Sequence, residues 1–218
     1  MSENSTKILD FLRRTQALCY IERCSNTPHI RPYSVAQHSF YIALYAMLFA
    51  DIENERIRNE GQVEFNNSNY YYLYDTSEVM KKALLHDIEE SLTGDILYPV
   101  HHENKSFKEI LDKVRNKCVN EEVFKELPKN VRKYYIKLWR TSKDTSKEGI
   151  LVACMDKFEI LMFAIQELDM GNQAFRVIYN NAISIIEKEF NIPSVNEVLR
   201  DIESKYSKTA FDNLRSIF

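Results

Sequence analysis

The 218-residue chain has little of what interrupts regular secondary structure, with only four glycines and five prolines. Because these two residues most often end helices and shape turns, their scarcity favours long helices joined by short connections. An excess of charge of one sign is also missing, since 29 lysines and arginines stand against 32 acidic residues. This near balance argues against a protein that binds duplex nucleic acid or a membrane surface.

Cysteine is scarce too, and the four cysteines form no C-x-x-C pair. Two of them fall in apolar helical patterns, where a reduced thiol behaves as a small hydrophobe, so we expect no disulfides. The first residues, Met1–Lys7, are polar and lack an apolar signal core. No stretch approaches membrane-spanning length by inspection, and we therefore expect a cytoplasmic protein without a membrane partner.

What is present is a helical repeat of apolar residues along most of the chain. Apolar residues make up 44% of the composition, and the length suits one large domain, so we predict a single all-α domain over 1–218. The periodicity predicts helices at about 5–19, 34–56, 76–91, 104–126, 129–141, 147–170, 173–190 and 194–206.

Three local signals place the ends of these helices. Ser34 followed by Gln37, and Asp75 followed by Glu78, match the capping box that starts a helix. Gly171 stands where a glycine commonly ends a helix, just after the 147–170 segment. We expect that segment to be the central helix.

The most informative stretch of the chain contains His86-Asp87, with Glu90 one helical turn later. His38 and Asp156 each interrupt the apolar pattern of another predicted helix, and buried His and Asp are usually paired or metal-bound. Together these residues predict a four-ligand metal site of the form H…HD…D. The alternative is that they are hydrogen-bonded core residues.

The ligand types suggest which ion such a site would hold. Two imidazoles and two carboxylates suit one divalent Mn²⁺, Co²⁺, Zn²⁺ or Fe²⁺ ion, with Mg²⁺ as a further candidate, and offer too few oxygens for a Ca²⁺ cage. The two carboxylates neutralise one divalent ion. Coordination positions left open could hold a water and a phosphate oxygen, as hydrolysis requires.

These residues lie in motifs that resemble the HD-domain phosphohydrolases and, within them, the YfbR-like 5'-deoxynucleotidases. The motifs run in the order of that family: Ile21–Arg23, Ser34–Ser39, His86–Val100, Met155–Lys157 and Glu167–Asn172. The resemblance implies a single HD-domain helical bundle. Its metal-binding core would span about 20–175, with the C-terminal helices at about 173–206 packed on it.

The resemblance also implies roles for two acidic residues. Glu90 would be the catalytic acid or base, which orients the attacking water or protonates the leaving 5'-oxygen. Its neighbour Glu89 is interpreted as the solvated end of a helix. Asp95 would contact the sugar 3'-hydroxyl or help to hold the water network, although a turn aspartate is an equally good interpretation.

For substrate binding, the resemblance points to Arg23 and Cys24. Arg23 occupies the family's phosphate-binding position, with Arg31 as a nearby competitor. Cys24 replaces a tryptophan that packs against the sugar and helps to exclude a 2'-hydroxyl. We therefore expect a sugar pocket that is wider, or is filled by another residue such as His29 or Tyr33.

The implied function is the metal-dependent removal of the 5'-phosphate from nucleoside monophosphates, preferentially deoxyribonucleotides. Two alternatives remain open: a triphosphohydrolase that releases triphosphate from a deoxynucleotide such as dATP, and a catalytically silent HD protein that binds or regulates. The intact set of candidate ligands argues against the second. The resemblance further implies a homodimer, for which an apolar face near the C-terminal helices could form the contact.

Overall fold

The protein is described by a computed structural model over residues 3–59, 73–96 and 105–215. Within these ranges the chain forms helices and no strand, which confirms the all-α prediction. The helices are α1 (Glu3–Thr15), α2 (Val35–Asn59), α3 (Thr76–Leu85), α4 (Glu90–Thr93), α5 (Lys105–Cys118), α6 (Lys129–Arg140), α7 (Lys147–Asp169), α8 (Arg176–Glu189) and α9 (Pro193–Arg215). The family motif from Leu97 to Val100 lies outside the described residues.

The predicted helix ends are confirmed where a capping signal was present. Ser34 and Gln37 exchange hydrogen bonds at the start of α2, and Asp75 accepts a hydrogen bond from the backbone of Glu78 at the start of α3. At the end of α7, Gly171 adopts a φ of 88°. A side chain is strained in that conformation, and a glycine is not.

One prediction is wrong in a way that matters for the site, because the helix expected at 76–91 ends at Leu85. The residues from His86 to Glu89 form turns, in which Ile88 and Glu90 donate their backbone N–H groups to carbonyls only three residues back. The ring of His86 binds the carbonyl of Ala83, an acceptor near the end of α3. The side chain thus competes with the backbone for that carbonyl, and the helix tightens and stops.

Three other predicted helices are divided. The one expected at 5–19 is α1 followed by a 3₁₀ turn at Gln16–Cys19. The segment expected at 104–126 becomes α5 followed by a π-helical turn at Val119–Val123. The segment expected at 173–190 begins with a 3₁₀ turn at Gln173–Phe175 before α8.

Helix α7 is central, as predicted, and lies against α2, α3 and α8. Most of the buried apolar residues form one cluster between these helices, including Ile42, Val79 and Met155. A smaller cluster contains Leu18, Phe124 and Ile88. Through Ile88, this cluster packs against the turn after α3. That residues 1–218 form a single domain stays a prediction.

Helix α2 contradicts the expectation that no stretch reaches membrane-spanning length. Its 25 residues are long and apolar enough to cross a membrane by length and composition, with 44% of the most apolar window buried inside the protein. The buried part of α2 packs on α3 and α7. The four cysteines are free, in agreement with the expected absence of disulfides.

Candidate active site

Three of the four predicted metal ligands meet at one point inside the fold. One side-chain donor atom from each of His38, His86 and Asp87 can be chosen so that all three lie within 4.8 Å of one another. All three residues are buried, and His38 is fully inaccessible to solvent. Helix α2 supplies the first histidine, and the turn after α3 supplies the adjacent pair.

Hydrogen bonds fix which nitrogen of each imidazole faces this point. His86 Nδ1 lies 2.6 Å from the carbonyl oxygen of Ala83, which can only accept, so Nδ1 is the donor. His38 Nδ1 lies 2.5 Å from a carboxylate oxygen of Glu159 and donates to it. A neutral imidazole that donates through Nδ1 presents a lone pair at Nε2.

Both Nε2 atoms then face carboxylate oxygens, which also carry lone pairs. His86 Nε2 lies 2.9 Å from Asp87 Oδ2 but lacks hydrogen-bond geometry, so it is a buried polar atom without a partner. His38 Nε2 lies 3.0 Å from Asp156 Oδ1 and 3.8 Å from Asp87 Oδ2. In these tautomers the converging atoms are all acceptors, an arrangement that a divalent metal ion between them would satisfy.

Asp156, the fourth predicted ligand, reaches the centre through one oxygen only. Its Oδ1 faces His38, whereas its Oδ2 lies 2.9 Å from the ammonium of Lys143 and 3.1 Å from that of Lys157. Burial alone would raise the pKa of Asp156, but the two lysines outweigh it and hold that pKa well below its usual range. The carboxylate is therefore ionised and available as a ligand at neutral pH.

The sequence interpretation of Glu89 is wrong. Its side chain is only 1% exposed, accepts a hydrogen bond from the indole of Trp139 at 2.6 Å and pairs with Arg115 at 2.7 Å. Burial raises the pKa of this carboxyl to about 7. Glu89 thus connects the turn to α5 and α6 and is not a solvated helix end. The helix predicted to expose its side chain ends at Leu85.

Glu90 is the first residue of α4 and lies close enough to Asp87 for their charges to interact. It is 4% exposed, and its Oε2 is buried without a hydrogen-bond partner. Burial and the nearby charge of Asp87 raise the pKa of Glu90 well above its usual value. A carboxyl in these surroundings holds its proton at a pH where an exposed glutamate would have lost it.

Arg23 also reaches the centre, where its Nη1 lies 3.3 Å from Asp87 Oδ2. Burial alone would lower the pKa of Arg23, but Tyr33 and Asp87 outweigh it and raise that pKa further. Its Nε is buried without a partner, so one donor of the guanidinium is available to a ligand. The competitor Arg31 binds Gln166 instead.

A buried carboxylate anchors the loop that follows Arg23. Glu167 of α7 accepts hydrogen bonds from the backbone N–H groups of Ile30 and Arg31, at 2.8 and 3.0 Å, and from the side chain of Asn172. The Glu167–Asn172 motif of the sequence therefore fastens the loop to the end of the central helix.

Cys24 is present at the site but in an unusual conformation, with a φ of 54°. Burial raises the pKa of its thiol to about 11, so the thiol stays neutral. Neither His29 nor Tyr33 is among the residues that line the cavity beside Cys24. Tyr33 is buried against Glu159 and stacks on Phe163, with ring centroids 3.9 Å apart.

One cavity of about 710 Å³ is lined by all the candidate site residues except His38 and His86. Its polar lining includes the side chains predicted from the sequence, namely Arg23, Cys24, Asp87, Glu90, Asp95 and Asp156. Its apolar lining comes mainly from α7, α8 and the residue after Asp95, namely Ile160, Val177, Ile178, Ile185 and Ile96. A cavity with one polar and one apolar part suits a small molecule with a charged end and an aromatic or apolar end.

Sequence reasoning missed several residues that shape this centre. Glu159 stands three residues after Asp156 on α7, a spacing that places both on one helix face and could have signalled its contact with His38. Lys143 and Arg115 carried no such signal, because they come from a loop and a helix that only the folded chain brings to the cavity.

Comparisons with known proteins agree with this architecture. The family model described as 5'-deoxynucleotidase YfbR-like matches residues 10–206. A 5'-deoxynucleotidase from Photorhabdus laumondii is 24% identical over 178 residues, which cover 82% of this chain and 81% of that protein.

Two solved structures extend the comparison. An HD-domain phosphohydrolase from Listeria innocua superposes with a TM-score of 0.72 at 26% identity, and the match covers 91% of this chain and 90% of that one. The HD phosphohydrolase of cyanophage S-2L, solved with dA and one catalytic Zn²⁺ ion, shares the fold at a TM-score of 0.54 and 14% identity, with 90% and 96% covered. The resemblance inferred from the motifs is confirmed over most of the chain.

Proposed function

The chain belongs to the YfbR-like 5'-deoxynucleotidase family, and we propose that it removes the 5'-phosphate from 2'-deoxynucleoside monophosphates. Its class is that of a metal-dependent nucleotide phosphohydrolase. The triphosphohydrolase and the silent binding protein are not favoured, because the family model and the curated relatives are 5'-deoxynucleotidases.

The observation that carries the proposal is the set of acceptors at the metal centre, which opens onto the cavity. Two imidazole nitrogens and two carboxylates face one another, and the two carboxylates also line the cavity, from which a phosphate would approach. The cavity volume of about 710 Å³ falls within the range of roughly 300–1,000 Å³ that is usual for small-molecule sites. A nucleotide would place its phosphate at the polar end and its base toward the apolar lining.

His38, His86, Asp87 and Asp156 would hold the ion, which we expect to be Mn²⁺, Co²⁺, Zn²⁺ or Fe²⁺, with Mg²⁺ as a further candidate. When bound, the ion supplies a Lewis acid for the phosphoryl group and for the attacking water. Glu159 keeps His38 in the tautomer that leaves Nε2 free for this role.

The chain's own side chains would do the remaining work. Arg23 would bind the phosphate through its free Nε, in the geometry that suits a guanidinium and an oxyanion. Glu90 would hold a proton on Oε2 and pass it to the leaving 5'-oxygen. Asp95, which follows Gly94 and lines the cavity, would contact the sugar 3'-hydroxyl.

Selectivity between the two sugars is expected to be weak. Cys24 stands where the family has a tryptophan, and Asn26 and Thr27 line the cavity nearby. These side chains leave more room beside the 2'-carbon than an indole would. The chain should therefore accept ribonucleotides more readily than a relative that carries tryptophan at this position.

The decisive experiment is a product analysis with dAMP, AMP and dATP in the presence of Mn²⁺, Co²⁺, Zn²⁺ or Mg²⁺. Inorganic phosphate and a nucleoside are the expected products from the monophosphates, and a strong chelator should stop their release. Release of intact triphosphate from dATP, with dAMP left uncleaved, would instead favour the triphosphohydrolase.

A homodimer, which rests on the resemblance, and a cytoplasmic location, which rests on the polar N-terminal residues, complete the proposal. Light scattering of the purified protein would measure the mass in solution, for which we expect twice the 25.8 kDa of one chain.

A further inference from the structure

Lys143 lies in the loop between α6 and α7 and reaches into the metal centre. Its Nζ is 2.9 Å from Asp156 Oδ2 and 4.0 Å from Asp87 Oδ1. About a third of its side chain, 34%, is exposed, and the residue lines the cavity. The ammonium therefore touches the two candidate carboxylate ligands and the space for the substrate.

The ammonium takes the oxygens that the imidazoles do not use. Asp156 turns Oδ1 toward His38, and Asp87 turns Oδ2 toward His86, so the inner oxygens remain for the ion. Lys143 lies on the outer oxygen of each carboxylate. An ammonium has three donors, and the hydrogen bond to Asp156 leaves others free to point into the cavity.

The position of Lys143 is set by a buried anchor. Lys82 of α3 is 1% exposed and binds both Asp144 and Ser146, at 3.3 and 2.9 Å, on the far side of the loop. The loop also packs closely on α7 at Gly149, where an added Cβ would lie 2.5 Å from the carbonyl oxygen of Asp144. Any side chain there would push the loop away, so a glycine is required.

The charges of the centre explain why a second cation is useful. A divalent ion is neutralised by Asp87 and Asp156, and a phosphate monoester arrives with a charge close to minus two. Arg23, Lys143 and Lys157 bring positive charge to the cavity, and of these Arg23 and Lys143 contact Asp87. The two cations also approach different oxygens of Asp87, Arg23 from Oδ2 and Lys143 from Oδ1.

We propose that Lys143 is a second phosphate-binding residue of the site, which acts together with Arg23 on the phosphate of the substrate. The inference rests on the proposed metal centre and deepens the proposed function. It concerns affinity for the phosphate group, whatever base the nucleotide carries.

The test uses the full chain loaded with one divalent ion, with inorganic phosphate as the probe. Lys143→Met should weaken phosphate binding, measured by titration calorimetry, by roughly 10- to 100-fold, as expected for the loss of a charge-assisted hydrogen bond. Lys143→Arg should recover most of that affinity. Lys147→Met removes the same charge from a residue that pairs with Glu148, and should bind phosphate as the wild type does.

Metal affinity gives a readout that moves in the opposite direction. Removal of Lys143 takes a positive charge away from both carboxylates, so the ion should bind at least as tightly as in the wild type. The KM for dAMP should rise, whereas inhibition by deoxyadenosine, which lacks the phosphate, should not change.

Three results would overturn the proposal. Phosphate binding by Lys143→Met that equals the wild type would show that Lys143 does not contact the phosphate. Loss of metal affinity alongside phosphate affinity would show that it only holds the ligands in place. An equal loss in Lys147→Met would reduce the effect to net charge. A wild type that leaves dAMP uncleaved would contradict the proposed function. The phosphate-binding test of Lys143 would still hold, because it does not depend on turnover.

Discussion

The cavity has a metal side and a recognition side, and the two are built differently. The metal side comprises the candidate ligands with Glu90 and Glu159. These residues are all buried, and nearly all of them form a hydrogen bond or an ion pair. The recognition side comprises Cys24, Asn26, Thr27 and the cavity face of α8, where Val177 is 66% exposed.

This difference predicts how each side responds to substitution. Buried polar groups that depend on one another fail together when one is removed, because the remaining groups are left without partners. Partly exposed side chains that face a cavity can be exchanged with smaller consequences. Substitutions should therefore abolish chemistry on the metal side and adjust selectivity on the recognition side.

The largest effect is expected at Asp87. Asp87→Asn removes a charged ligand and the carboxylate that pairs with Arg23, so metal binding and turnover should both be lost. Metal content after purification and phosphate release from dAMP would measure this. Full activity of the wild type in a strong chelator would contradict the metal site itself.

Glu90 should separate chemistry from binding within the metal side. Glu90→Gln should keep the metal and lower kcat by roughly 10²–10⁴-fold, the usual range for a lost general acid or base. Because burial raises the pKa of Glu90, its proton is kept as pH rises toward neutrality, and wild-type kcat should fall above that pKa. The alkaline fall should be absent from the Gln variant.

Glu89 provides the matched control for that experiment. It is also buried, but it pairs with Arg115 and Trp139. Glu89→Gln should therefore lower the Tm, and it should lower kcat much less than Glu90→Gln does. A collapse of metal occupancy in Glu90→Gln would identify Glu90 as a ligand and contradict its proposed role.

A smaller effect is expected at Glu159, which touches the centre only through His38. Glu159→Gln weakens the hydrogen bond that fixes the imidazole, and metal affinity or activity should fall by roughly 10- to 100-fold. Titration with Co²⁺ or Zn²⁺ would measure the affinity. The exposed Glu187, changed to Gln, serves as control, and an equal loss there would remove Glu159 from the site.

The smallest effect is expected on the recognition side, at Cys24. Wild type should distinguish dAMP from AMP only weakly, and Cys24→Trp should sharpen the preference for dAMP by about ten-fold by filling space beside the 2'-carbon. The ratio of kcat/KM for the two nucleotides would show this. A strongly deoxy-selective wild type, with a Trp variant that is no better, would mean that other residues build the sugar pocket.

Local sequence signals correctly predicted the helix ends that depend on residues close together in the chain. The capping boxes at Ser34 and Asp75 and the glycine at 171 are correct because a cap is satisfied within a few residues. The same reasoning failed at Glu89, since a continuous helix from 76 to 91 was assumed. The bond from the His86 ring to Ala83 and the packing of Ile88 end that helix early.

The sequence by itself determined the helical architecture, the family and the identity of the candidate ligands. These follow from apolar periodicity and from motifs that interrupt it with His and Asp, both of which can be read along a single chain. The sequence also predicted that these ligands converge, and side-chain atoms of His38, His86 and Asp87 lie within 4.8 Å of one another.

Only the tertiary structure decided the surroundings of those ligands. Glu159 orients His38, Lys143 lies on the outer oxygens of two carboxylates, and α8 completes the lining of the cavity. Each of these contacts joins residues from separate elements, and electrostatic and packing energies depend on distance in space. Sequence spacing cannot report that distance unless both residues lie on one helix, as Glu159 and Asp156 do.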